Sequence, residues 1–173
     1  TEYLVTNGEY DVIKPLAYDE KNDDVYFIAS PENPTERYLY KTSIKGDGDL
    51  IRVTPKILEG SHNYQISTKS KYAFHSFSNY FTKPMQAVVS LPEHEFINKD
   101  QDMVRRYDPN MKKKHPLEFF EITTVDNETM EGWIVKPKNF DKDKKYPVLF
   151  YFYSEPAGQT GVNRHGAGTN GLY

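Results

Sequence analysis

The sequence predicts a mostly β protein in which two similar β units precede the first strands of a second fold. Short β-rich segments alternate with turn signals up to about residue 97, and their order recurs at a spacing of roughly 45–50 residues. Beyond a polar stretch, the pattern changes from alternating to continuous apolar residues. Tyr, Phe and Trp make up 14% of the chain, and aromatic side chains favour strands.

The first unit is built from segments separated by turns. VYFIAS, at residues 25–30, is short and apolar and is followed by PENPTER, which is a turn by composition. The alternating segment YLYKTSI, at residues 38–44, comes next, and the turn signal GDGD separates it from LIRVTP. This order predicts antiparallel strands joined by short connections.

The second unit repeats the order of the first. NYQIST and KYAFHSFS, the latter at residues 71–78, are followed by a predicted loop at 79–84 and by MQAVVSL at residues 85–91. Four-stranded units at this spacing are typical of β-propeller blades. We therefore expect residues from about 10 to 97 to form two antiparallel units packed face to face as neighbouring blades.

The remainder of the chain has a different pattern. Polar residues 98–117 predict a linker or a surface helix with loops, and we expect a domain boundary near residue 115. Residues 118–126 and 129–137 predict a hairpin around DNET. VLFYFY, at residues 148–153, is apolar on consecutive residues, as in a strand buried on both faces. We expect residues 118–153 to form a separate sheet.

Charge and residue composition exclude several classes of function. The net charge is −3, with 22 basic and 25 acidic residues, so we expect no nucleic-acid partner. Without cysteine, the chain has neither disulfides nor a thiolate metal site. The histidines lack metal-ligand spacing, so we expect no metal and no other cofactor. His75 is interpreted as either a strand-surface residue or a core histidine.

Neither a membrane span nor a leader is expected. No run approaches the ~18 apolar residues that cross a bilayer, and the first ten residues lack the pattern of a signal peptide. The chain is therefore interpreted as a cytosolic protein or as an internal piece of a longer one. The glycine-containing residues 161–171 lack a phosphate-binding frame and are interpreted as a flexible loop.

The stretch EGWIVKPKNFDKDKKYPVLFYFYSEPAGQ resembles the start of the α/β-hydrolase domain in the prolyl oligopeptidase family of serine peptidases. The dipeptidyl peptidase IV branch is the most similar. Upstream, residues 7–46 resemble a late blade of that branch's propeller, and residues 61–91 resemble its final blade. The resemblance implies that residues 1–115 are the C-terminal part of the propeller with its linker. Residues 116–173 would then be the N-terminal segment of the peptidase domain.

The resemblance also implies a role for Tyr153. In this family, the Tyr after the first long hydrolase strand donates its hydroxyl to the oxyanion hole, where one donor stabilises the charge by roughly 3–4 kcal/mol. From the residues alone, Tyr153 is one of fourteen tyrosines and could simply end a strand. No serine lies in a G-x-S-x-G frame, so we expect the nucleophile, base and acid outside this chain. The chain is interpreted as an internal fragment that is inactive alone.

The activity implied by the resemblance is that of a serine-type dipeptidyl peptidase, which releases N-terminal Xaa-Pro or Xaa-Ala dipeptides through an acyl-enzyme. Its partners would be peptides with a penultimate Pro or Ala. The resemblance leaves open a homodimeric parent and a periplasmic, secreted or membrane-anchored location. Two alternatives also stay open: a non-catalytic β-propeller-type interaction module, and a prolyl oligopeptidase-like endopeptidase.

Overall fold

The computed structural model describes residues 4–114, 117–152 and 159–166, and its strands form three antiparallel sheets. The four strands of the first sheet lie in chain order: β1 (Val12–Asp19), β2 (Asp24–Ala29), β3 (Tyr38–Ser43) and β4 (Ile51–Arg52). The second sheet contains β5 (Ser61–Ile66), β6 (Tyr72–Asn79) and β7 (Thr82–Ser90). The third is a hairpin of β8 (Leu117–Thr123) and β9 (Thr129–Val135). The predicted fold class, mostly β with two blade-like units, is confirmed.

The two blade-like sheets differ from the predicted pattern at their edges. Edge strand β1 was not predicted, because its register against β2 shifts twice near Lys14 and Pro15 and interrupts the alternation. Pro15 fits there because it lacks an N–H group and an edge strand leaves that side unpaired. In the second sheet, the fourth strand is reduced to one antiparallel bridge between Val89 and Phe96.

The first two sheets pack face to face, as expected. Their shared core contains Tyr26, Ile28, Leu39 and Val53 from the first sheet and Tyr64, Ala73, Val89 and Leu91 from the second. Along β6, alternate residues point into this core, while Tyr72 and Phe74 are exposed. At one corner the Arg37 N–H donates to the Gly60 carbonyl and the His62 N–H to the Arg37 carbonyl, each at 3.0 Å. Backbone hydrogen bonds therefore join the sheets as well.

Three buried histidines lie in the core. His62 Nε2 donates to the Leu58 carbonyl at 2.9 Å, so its Nδ1 accepts from His75 Nε2 at 2.8 Å. His94 Nε2 is 2.9 Å from the Tyr64 hydroxyl, and the Tyr64 ring stacks on His75. Burial lowers the pKa of His62 to about 3 and that of His94 to about 4, and it lowers the pKa of His75 well below the ordinary value. His75 is a core histidine and not a surface residue.

The polar segment after β7 contains three short helical turns. These are the 3₁₀ turns Lys99–Gln101 and Pro109–Lys114 and, between them, helix α1 (Met103–Arg106). The Asp102 side chain caps α1 by accepting hydrogen bonds from the N–H groups of Val104 and Arg105. No helix in the described part of the chain is long and apolar enough to cross a membrane.

Helix α1 is anchored to the second sheet and is not a freely solvated linker. Met103 is fully buried, and Tyr107 is 8% exposed. Both belong to a cluster with Leu58, Phe77 and Met85 on the second sheet and the loop before it. The lysines at 112–114 are exposed, as the sequence predicts.

The apolar run at residues 148–152 departs from its prediction as a doubly buried strand. It has no strand assignment and pairs with none of the sheets formed by the described residues. Val148, Leu149 and Phe150 are 68%, 79% and 82% exposed. An extended segment becomes a strand only when a neighbour supplies backbone hydrogen bonds, and no described segment does so here. Among the described residues, the sheet expected over residues 118–153 is limited to the hairpin β8–β9.

Acid should destabilise the chain through its buried histidines. The unfolded chain protonates them near pH 6.5, whereas the folded chain keeps His62 and His94 neutral down to pKa values of about 3 and 4. Stability is therefore complete above about pH 6.5 and falls as the pH drops, by at most about 1.4 kcal/mol per pH unit for each histidine. Urea unfolding at pH 7, 6 and 5 measures this slope.

The variant His94→Asn isolates the contribution of one histidine. Asn tolerates the left-handed backbone at this position, where φ is 58°. We expect a shallower decline of stability with acid than in the wild type, because one proton fewer is taken up on unfolding. Equal slopes for the two proteins would contradict the neutral state assigned to His94.

The buried position of Met103 predicts a large effect of truncation. Met103→Ala should lower the free energy of unfolding by about 2–5 kcal/mol, because it leaves a cavity between α1 and the second sheet. Met111→Ala is the matched control, since Met111 is 41% exposed, and it should change stability by less than about 0.5 kcal/mol. Urea unfolding followed by circular dichroism compares them. Similar small losses in both variants would show that α1 is not part of the core.

Candidate functional site

The residue to which the resemblance assigns chemistry, Tyr153, lies outside the described residues. The described chain resumes at Gln159, and residues 159–166 contact both the hairpin and the ends of the two packed sheets. We call residues 159–166 the docked segment. It is here that the structure brings the N-terminal and C-terminal parts of the chain together.

Asn163 fixes the docked segment to the sheets. Its backbone N–H donates to the Thr35 carbonyl at 2.7 Å, and its carbonyl accepts from the Ser61 hydroxyl at 2.9 Å. Its Nδ2 donates to Glu36 Oε1 at 2.8 Å, and its Oδ1 accepts from the Tyr80 N–H at 3.1 Å. Asn163 is 6% exposed. The backbone and side-chain groups of this one buried residue thus find their hydrogen-bond partners in the turn before β3, at the start of β5 and in the β6–β7 turn.

Glu36 is a buried carboxylate in the turn before β3. It is 5% exposed, and its two oxygens accept from Asn163 Nδ2 and from the Tyr38 hydroxyl. Burial raises the pKa of Glu36, and the hydrogen bonds from Tyr38 and Asn163 oppose that rise. Since a buried carboxylate without donors is strongly destabilising, these two donors make its position tenable.

Arg52 lies against the other face of this cluster. Its guanidinium carbon is 3.4 Å from the centroid of the Tyr38 ring, a cation–π arrangement, and the guanidinium pairs with Glu32. Burial and the hydrogen bond to Glu36 raise the pKa of Tyr38 far above its ordinary value. The Tyr38 hydroxyl therefore stays protonated and donates to Glu36.

The hairpin holds the docked segment from the opposite side. Trp133 Nε1 in β9 donates to the Thr160 carbonyl at 3.1 Å. A Cβ atom added at Gly161 would lie 3.3 Å from the Glu131 carbonyl oxygen, so the two backbones approach closely. Phe119 in β8 meets the Tyr80 ring edge-on at 5.6 Å. Hairpin, docked segment and β6–β7 turn form one packed junction.

An open groove of about 440 Å³ lies between the turn before β3 and the hairpin. It is lined by Glu32, Asn33, Pro34, Thr35, Phe119, Phe120, Glu121 and Glu131. Glu121 and Glu131 are paired across the hairpin, and the pKa of Glu131 is raised first by burial and then by the charge of Glu121. The groove is thus acidic and open at the surface, without a nucleophile paired to a base among the residues that line it.

Catalytic chemistry is not assembled within the described residues. His62, His75 and His94 lie in the core, where they are neutral, and His165 is exposed on the docked segment. Nowhere in residues 4–114, 117–152 and 159–166 do three His, Asp or Glu side chains form a group that could hold a metal ion. What these residues provide is a junction that positions one part of the chain on another.

Sequence reasoning did not identify the two central residues of this junction. Residues 161–171 were interpreted as a flexible loop, but Gly161 to Gly166 belong to the docked segment, and residues 167–171 lie outside the described chain. PENPTER, which contains Glu36, was interpreted only as a turn. Glu36 and Asn163 are 127 positions apart, so no local pattern links them. The sequence signal that could have identified this site is Glu36, a carboxylate in a turn between two strongly apolar strands.

Comparison with known proteins supports the resemblance. Residues 2–84 match the family model described as the dipeptidyl peptidase IV (DPP IV) N-terminal region. The chain is 36% identical over 166 residues to a probable dipeptidyl-aminopeptidase B of Botryotinia fuckeliana, covering 91% of the chain and 17% of that protein. It is 34% identical over 163 residues to the dipeptidyl-aminopeptidase B of Aspergillus niger, covering 91% of the chain and 18% of the relative.

A solved structure gives the same result. The crystal structure of Porphyromonas gingivalis dipeptidyl peptidase 4 superposes with a TM-score of 0.75 at 26% sequence identity, covering 93% of this chain and 22% of that one. The chain thus spans less than a fifth of the length of the curated relatives and less than a quarter of the solved one. These matches and the ordered resemblance of its segments support the similarity of the chain to the dipeptidyl peptidase IV branch of the prolyl oligopeptidase family.

Proposed function

We propose that this chain is part of a serine-type dipeptidyl peptidase. The supporting observation is the match of 91% of the chain to a probable dipeptidyl-aminopeptidase B, at 36% identity. That match runs through both packed sheets and the hairpin, which the docked segment joins through Asn163 and Trp133. Because the chain spans 17% of this relative, the activity is proposed for a longer protein.

The proposed division of the chain follows the break between the two packed sheets and the separate hairpin β8–β9. Residues 1–115 form the C-terminal part of a β-propeller with its linker, and residues 116–173 form the start of an α/β-hydrolase peptidase domain. The catalytic Ser, His and Asp are supplied from outside this chain, because no serine here lies in a nucleophile-elbow frame. The substrates are peptides with a free N-terminus and a penultimate Pro or Ala.

In the proposed reaction, the serine Oγ attacks the carbonyl carbon of the penultimate residue while the histidine takes its proton. The tetrahedral intermediate carries a negative charge on the former carbonyl oxygen. Tyr153 donates its phenolic hydrogen to that oxygen, and the histidine returns the proton to the departing amine. Water then hydrolyses the acyl-enzyme, which releases the dipeptide.

The 173-residue chain and its full-length parent should differ completely in activity. The parent should hydrolyse a chromogenic Xaa-Pro substrate and lose that activity on treatment with an active-site serine reagent, whereas the chain should be inactive because it holds no activated nucleophile. Turnover by the purified chain, blocked by the same reagent, would contradict the proposed division. A parent that is neither active nor labelled would instead be a non-catalytic interaction module.

A blocked substrate separates the exopeptidase from the endopeptidase. The parent should cleave the substrate with a free α-amino group and not its N-acetylated counterpart. The reason is that a dipeptidyl peptidase sets its cleavage position relative to the charged amino terminus of the peptide. Comparable kcat/KM values for the two substrates would identify an oligopeptidase-like endopeptidase.

Tyr153→Phe in the parent tests the oxyanion role. The change keeps the ring and removes the hydroxyl, so kcat should fall by roughly 10²–10³-fold while the thermal midpoint stays nearly constant. Tyr151→Phe is the matched control, because Tyr151 is 63% exposed in the described structure. It should leave kcat unchanged. A near-normal kcat for Tyr153→Phe would leave Tyr153 with a packing role only.

A further inference from the structure

We propose that Asn163 is a positioning residue of this peptidase. Its hydrogen bond to Glu36 locks the docked segment onto the two packed sheets, and this lock sets kcat. The inference rests on the proposed function for its catalytic consequence. The lock itself rests on contacts within the described residues.

The lock depends on the polarity of one hydrogen bond. Asn163 Nδ2 donates to Glu36 Oε1 at 2.8 Å, while its Oδ1 accepts from the Tyr80 N–H at 3.1 Å. Reversing the amide would therefore break both contacts. The other oxygen of Glu36 accepts from Tyr38. With Asn163 and Glu36 both buried, an amide donor at position 163 and an acceptor at position 36 are each required.

The lock lies where a small movement would reach the peptidase part. The docked segment contacts the hairpin through Trp133 Nε1 and the Thr160 carbonyl, 3.1 Å apart, three residues before Asn163. It follows the proposed oxyanion donor in sequence, with Gln159 six positions after Tyr153. A displacement of about 1 Å in a positioning element can lower a rate by up to roughly 10²-fold. Asn163 thus controls the fit between the propeller part and the peptidase part.

Two variants test the lock by exchanging donor and acceptor. Asn163→Asp places a second carboxylate against Glu36, so the two repel and the segment should detach. The double variant Glu36→Gln with Asn163→Asp restores a donor–acceptor pair, because the Gln amide now donates to the Asp carboxylate. The single oxygen of that Gln amide accepts from the Tyr38 hydroxyl, and the Asp still accepts from the Tyr80 N–H.

Fluorescence of the 173-residue chain measures docking directly. Trp133 is the single tryptophan of the sequence, and its indole N–H is bonded to the docked segment. Asn163→Asp should shift the Trp133 emission to longer wavelength at pH 7, and the double variant should restore the wild-type spectrum. At pH 5 a proton shared by the two carboxylates should move the spectrum of Asn163→Asp back towards that of the wild type. Asn63→Asp, a control at an exposed position, should leave the spectrum unchanged.

Kinetics of the full-length parent measure the catalytic consequence. Asn163→Asp should lower kcat by roughly 10–100-fold with KM within about twofold of wild type, and the double variant should recover most of the loss. Asn63→Asp should behave as wild type. Because the double variant keeps a buried hydrogen bond, it remains informative even if Asn163→Asp fails to fold.

Each arm has a result that overturns the proposal. A shifted Trp133 spectrum with unchanged kcat would show that the lock is structural only. A folded double variant that recovers neither the spectrum nor kcat would show that this hydrogen bond is not the lock. If the wild-type parent has no peptidase activity, the proposed function fails, and a wild-type spectrum for Asn163→Asp would then overturn the lock itself.

Discussion

The two packed sheets bury apolar faces against each other, and this mutual burial is the constraint from which other features follow. A sheet of three or four strands is stable only when one face is packed. Here Tyr26 and Leu39 on one sheet and Tyr64 and Val89 on the other lie in a single core. Any polar group that enters this core must be neutral or hydrogen-bonded. The buried histidines meet that requirement by giving up their charge.

The same requirement operates at the ends of the sheets, where it is met differently. The turn before β3 places the Glu36 carboxylate below the surface, where its two hydrogen-bond donors, Tyr38 and Asn163, are neutral. The partner amide comes from Asn163, 127 positions away. The N-terminal and C-terminal parts of the chain are therefore joined largely through directional polar contacts. Such contacts specify one geometry more sharply than apolar packing does, which suits a junction beside a proposed active site.

The sequence contained enough information for most strands but not for the junction. Strands β6 and β7 were predictable because their alternation indicates one buried and one less buried face. Strands β2 and β3, which are buried on both faces, were predictable as short β-rich segments bounded by turns. Strand β1 was not, because Lys14 and Pro15 interrupt its pattern. The prediction of a doubly buried strand at residues 148–152 was wrong. A continuous apolar run indicates that burial would be favourable, but it does not show that a neighbouring segment is present to bury it. Glu36 and Asn163 could not be paired, because a contact over such a separation leaves no periodic signal in a single sequence.

The exposed run at residues 148–152 has a consequence for handling the chain in solution. Five consecutive apolar or aromatic residues without charge or proline have the composition of segments that stack into cross-β assemblies. Lys144, Lys145 and Pro147 precede the run and act as gatekeepers, since charge and a missing N–H oppose stacking on that side. The five residues themselves carry no such protection, and Val148, Leu149 and Phe150 are mostly exposed. Self-association of the 173-residue chain would therefore begin at this segment, and its colloidal behaviour would be governed by these residues rather than by the well-packed sheets.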